Sequence, residues 1–146
     1  MKKYLVSLTL MFTIASSVIA GYDPASEEKA KENFKKEFTG AESVVWKESG
    51  DYYKVSFVFR GNPVEAYFNA EGELEGSARI VQMHELPLNI QTSFTKRFDN
   101  ADVLDVLEVN NTEGTSYRFT FKQNDKKYQV RLDNNGNISS KEKVKG

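Results

Sequence analysis

The 146-residue chain has no cysteine, one histidine, one tryptophan and three prolines. Without cysteine there is no disulfide, no thiolate nucleophile and no sulfur ligand for zinc. His84 is followed by Glu85, as in a metallopeptidase helix, but the second histidine of that motif is replaced by Leu88. A lone histidine beside a linker reads as a surface residue. No G-x-S-x-G elbow, Walker loop or dinucleotide glycine fingerprint occurs. An excess of one charge is also missing: 20 Lys and Arg stand against 21 Asp and Glu. That balance excludes a general nucleic-acid binder, which needs a clustered basic excess. The expectation is a protein that is not an enzyme and needs no cofactor or metal.

Long apolar runs are absent except at the N-terminus. Lys2 and Lys3 precede an apolar stretch from Leu5 to Ile14, and Val18 and Ala20 occupy the −3 and −1 places of a cleavage site before Gly21. Residues 1–20 therefore read as a signal peptide, too short in its apolar core to span a bilayer. No cysteine follows that could carry a lipid anchor, so the expected location is periplasmic or secreted. The mature part, residues 21–146, would carry 18 basic and 21 acidic side chains, a net charge of −3. It has the size of one ordinary domain.

What is present is an internal repeat. Phe34, Phe38 and Ala41 match Phe94, Phe98 and Ala101 at a shift of 60. Farther on the shift is 64: Tyr53, Val55 and Phe57 match Tyr117, Phe119 and Phe121, Ala66 and Phe68 match Val130 and Leu132, and Gly72 matches Gly136. The difference places a four-residue insertion near Asn110 to Thr115, a stretch of loop-forming residues. Each copy, about 23–81 and 86–144, opens with a helix. Asp23 is a good N-cap and Pro24 fits the first helical position. Ala30, Phe34, Phe38 and Ala41 form one apolar stripe; Leu86, Ile90, Phe94 and Phe98 form the other. Alternating strands follow over 44–47, 52–60, 64–69 and 74–81, then 103–109, 117–122, 128–133 and 138–144. Gly61-Asn62-Pro63 and the Asn69/Gly72 and Asp133/Gly136 segments supply turns. The Asn-rich run 133–137 invites a calcium reading, but the further ligands of such a loop are missing and the first copy carries a turn at the same place. Asn110-Asn111-Thr112 and Asn137-Ile138-Ser139 match the glycosylation pattern, which carries little weight behind a bacterial-type leader.

An amphipathic helix beside alternating strands predicts an α+β fold, with the helices on one sheet face and the other face open. The residues expected on the open face are Tyr52, Lys54, Arg60 and Tyr67 in the first copy and Arg118, Lys122, Gln129 and Arg131 in the second. Aromatics and arginines are enriched at binding hot spots. This face is the candidate for docking another exported protein. The alternative is a small ligand, a peptide, or an envelope glycan or lipid held in a groove between the copies.

The run Phe34-x3-Phe38-x2-Ala41-x2-Val44-x-Trp46, the Leu86-Pro87 helix start and the paired Asn/Asp-x2-Gly turns resemble the PepSY-like family of exported bacterial proteins. That family's fold is similar to that of β-lactamase inhibitory protein. The resemblance covers roughly residues 23–144. It implies a periplasmic or secreted protein with a tandem αβ repeat and protein binding by the open face. The inhibitor relatives carry disulfides and this chain has none, so no binding residue is carried over from them.

Overall fold

The fold is seen in a computed structural model that describes residues 23–145; the expected leader lies outside them. The Asp23 carboxylate accepts from the Ala25 backbone N–H at 3.0 Å and caps the first helix, α1 (Pro24–Glu37). Ala30 and Phe34 are its buried residues. Four strands follow: β1 (Glu42–Ser49), β2 (Tyr52–Phe59), β3 (Asn62–Phe68) and β4 (Leu74–Val81). A short 3-10 turn at Met83–Glu85 carries the exposed His84 and leads to α2 (Leu88–Arg97). Then come β5 (Asp102–Asn111), β6 (Gly114–Gln123), β7 (Lys126–Asp133) and β8 (Ile138–Val144). Among the described residues no helix is long and apolar enough to cross a membrane.

All eight strands join one antiparallel sheet in chain order. Each helix packs on the same face and covers its own core. Under α1 lie Val55, Phe57, Val64, Ala66 and Phe68, with Trp46, Phe38 and Phe59 at the margin. Under α2 lie Val106, Tyr117, Phe119, Phe121, Val130 and Leu132. Aromatic contacts dominate both cores. Phe34 meets Phe57 edge-on at 4.9 Å, and Phe94 stacks on Phe119 at 4.2 Å.

The two halves meet along β4 and β5, from Gly76↔Asn111 to Val81↔Val106. On the helix side one cross-strand row reads Val64, Arg79, Glu108, Tyr117. Arg79 Nε donates to Glu108 Oε1 at 2.9 Å, so an ion pair separates the two apolar cores. On the helix-free side the seam is apolar: Ala78, Leu107 and Val109 are buried together, with Ile80 against them.

Two glycines fix how the helices sit. Gly72 has φ +79, and a Cβ there would lie 2.6 Å from Lys29 Cβ and 2.8 Å from the Ala30 nitrogen. Gly136 has φ +84, and its Cβ would meet Ser93 Cβ at 2.9 Å. The Gly72 carbonyl accepts from Asn33 Nδ2 at 2.7 Å; that of Gly136 accepts from Ser93 Oγ and from Arg97 Nη1. Only glycine allows both the left-handed backbone and this close approach.

Two sequence expectations are corrected. The expected loop at 110–115 is mostly strand: Asn110 pairs with Thr115 and Asn111 with Gly114, so the extra residues lengthen the β5–β6 hairpin. The turn expected at Gly61-Asn62-Pro63 falls one residue earlier. Arg60 and Gly61 take positive φ values of 51° and 80°, the geometry of a two-residue hairpin, and Pro63 pairs with Val58 inside β3.

Candidate functional site

The helix-free face is built by simple alternation. Side chains of β2 at 52, 54 and 56, of β3 at 65 and 67, of β6 at 118, 120 and 122, and of β7 at 129 and 131 share it, because paired residues in an antiparallel sheet point the same way. The structure gathers most of the expected residues into two clusters on either side of the apolar seam.

The first cluster centres on Glu65, which sequence reading did not single out. Glu65 Oε1 lies 2.8 Å from Lys54 Nζ, Oε2 accepts from the Tyr67 hydroxyl at 3.3 Å, and Ser56 Oγ is 3.5 Å away. The Lys54 ammonium lies 6.0 Å from the centre of the Tyr67 ring. Tyr67 is buried, against the expectation of an exposed ring; its opposite position on β4 is Gly76, whose lack of a side chain leaves room beside it. Burial, together with the Glu65 charge and hydrogen bond, pushes the Tyr67 phenol up to about 12, with Arg118 pulling the other way. Tyr67 and Arg118 therefore stand within electrostatic reach of each other across β4 and β5. Tyr52 is half-buried at the start of the same strand as Lys54.

The second cluster is the cross-strand row Ile80, Leu107, Arg118, Arg131, Ser140. Arg118 and Arg131 are directly opposed. The Nε atom of each is buried and has no hydrogen-bond acceptor among the described residues. Burial lowers the proton affinity of Arg118; Asp105 opposes that shift, Arg131 adds to it, and Glu142 opposes it again. The neighbouring row is Asp105, Thr120, Gln129, Glu142. Thr120 is buried and accepts from Gln129 Nε2 at 3.3 Å. Lys122 is exposed near the end of β6, between Asp102 and Lys127.

Arg60 leaves the face. It sits in the β2–β3 turn with its guanidinium 5.1 Å from the centre of the Phe59 ring, which packs against the helix-side core. The backbone reversal at φ +51 breaks the strand alternation that had assigned it to the other side. The Asp133 turn also resolves. Asp133 Oδ1 accepts from the backbone N–H groups of Asn135 and Asn137 at 2.9 Å, as Asn69 Oδ1 accepts from Glu71 and Glu73. Both side chains act as turn braces. An open cavity of about 370 Å³, lined by Phe34, Phe38, Trp46, Lys31 and Lys35 among others, lies between α1 and β1. It belongs to the first half alone, not to a groove between the halves.

Solved structures share this architecture. A BLIP-like protein from Bacteroides fragilis is 23% identical, with a TM-score of 0.74 over 85% of this chain and 89% of that one. The fold is BLIP-like. A DUF2874 family protein from Bacteroides uniformis, 20% identical, gives 0.75 over 84% and 91%, and a Bacteroides eggerthii protein proposed to be periplasmic, 21% identical, gives 0.74 over 85% and 91%. No protein-family model and no curated protein matches the chain. At these identities the likeness carries the BLIP-like fold and no activity.

Proposed function

We propose that this chain is an exported, non-catalytic module that docks another protein through the helix-free face of its BLIP-like sheet. The observation that carries this reading is the composition of that face. The half-buried Tyr52, Arg118 and Arg131, residue types enriched at protein interfaces, flank the buried seam of Ala78, Leu107 and Val109 on the side the helices leave uncovered. The reading includes a leader over residues 1–20, periplasmic or secreted location, two αβ repeats over about 23–81 and 86–144, and kinship with PepSY-like exported proteins. Matched glycine contacts at Gly72 and Gly136 and matched turn braces at Asn69 and Asp133 support the repeat.

Site-specific photo-crosslinking in cells tests the docking face. A crosslinker at Ser56 or Gln129 should capture a discrete partner, whereas one at Glu28, exposed on α1, should not. Equal capture from Glu28, or none from the sheet positions, overturns the reading. Cell fractionation with N-terminal sequencing tests the leader: the mature chain should begin at Gly21.

A further inference from the structure

Arg118 and Arg131 occupy directly paired positions on β6 and β7. Like charges placed opposite each other on adjacent strands repel. Each also buries an Nε that no described residue accepts from, although native proteins leave few buried donors unmet. The ion pairs among the described residues are Lys31–Glu27, Lys54–Glu65 and Arg79–Glu108, and none includes either arginine. Neither guanidinium therefore has a direct ion-pair partner among the described residues.

We propose that Arg118 and Arg131 together bind a carboxylate, the side chain of an Asp or Glu on the docked protein. The proposal rests on the docking reading and names the chemistry of its anchor. A guanidinium presents a planar fork of donors that matches a carboxylate. Two of them side by side, with the buried Leu107 next in the row, form a low-dielectric seat for one negative charge. Asp105 and Glu142 in the neighbouring row already act on Arg118 electrostatically. Their charges reduce the positive field at the two arginines, so the seat suits a monoanion better than a phosphate dianion. Tyr67 does not compete, because its hydroxyl is turned to Glu65.

The test is proton–nitrogen NMR of arginine Nε–Hε signals in the isotope-labelled protein. Signals are assigned from Arg118→Lys and Arg131→Lys, and the backbone amide spectrum shows whether each variant is folded. A short, C-terminally amidated glutamate peptide is titrated in, with the matching glutamine peptide and inorganic phosphate as parallel arms. The Arg118 and Arg131 signals should move together and saturably with the glutamate peptide only. The Arg79 signal should stay still, because its Nε is already bonded to Glu108. Either lysine variant should weaken binding about tenfold, the loss of one charge-assisted hydrogen bond. Silence of both signals at about 10 mM peptide, an affinity floor below any useful anchor, overturns the proposal. So does an equal response to the glutamine peptide, or a stronger one to phosphate. It also fails if the glutamate peptide moves the signals only in Asp105→Asn or Glu142→Gln, since those carboxylates would then already fill the seat. Crosslinking reads docking regardless of charge, so a captured partner with silent arginine signals overturns the carboxylate anchor alone.

Discussion

Tyr67 and Asp133 each tie a hydrogen bond to a pH dependence. The Tyr67 phenol holds its proton more tightly folded than unfolded, at about 12 against an ordinary 10.0. The stability this contributes is complete below pH 10 and is lost as pH rises towards 12. Tyr67→Phe should flatten that alkaline decline, read as denaturant midpoints across the range; an unchanged decline would place the cause elsewhere. Asp133 behaves in the opposite sense. Backbone and side-chain donors of Asn137 hold its carboxyl below the ordinary 3.8, so its contribution is present above that value and is lost as pH falls through the lowered one. Asn69 braces the matching turn without charge. Asp133→Asn should therefore keep the turn and remove this part of the acid sensitivity, measured in the same way. Both residues could be assigned to a face or a turn from spacing. Their near partners lie two to four residues away on the chain, but the Lys54 that pairs with Glu65 reaches it only once β2 and β3 pair in register.

Among the elements, the helix stripes and strand alternation were legible because burial imposes periods of 3.6 and 2 on the sequence. The hairpins were less so. The 60-to-64 change of shift located an insertion, but loop-forming residues at 110–115 concealed that strand pairing simply continues through it. Arg60 was misassigned for a related reason: alternation holds only while the backbone stays extended, and a positive φ ends it. The helix-to-turn contacts give a sharp contrast in cost. Gly72→Ala forces a Cβ into the Lys29 and Ala30 backbone region as well as a left-handed alanine, and should cost about 2–3 kcal/mol. Gly50→Ala, at φ +62 with nothing within 4 Å, should cost about 1 kcal/mol. Equal losses in urea unfolding would argue against the tight α1 contact.

At the scale of the molecule, the continuous sheet couples two separate cores. Trp46, the single tryptophan, packs against Phe34 and Phe68 and so reports on the first core. Phe119→Ala removes a fully buried ring from the second, at about 3–5 kcal/mol. If the seam makes one cooperative unit, Trp46 fluorescence should shift its unfolding midpoint as far as far-ultraviolet circular dichroism does. A stationary fluorescence midpoint would mean the halves unfold independently.

The sequence by itself determined the two apolar helix stripes, the alternating strands, the glycine turns and the α+β class, because each is written in local spacing and backbone preference. Tertiary structure alone decided that the strands form one sheet, that an apolar seam occupies the middle of the helix-free face, and that Arg118 and Arg131 stand opposed with buried donors. Those outcomes depend on strand register and on which side chains end up beside one another, and register is set by the hairpin turns and by the β4–β5 pairing across α2 rather than by the pattern within any one strand.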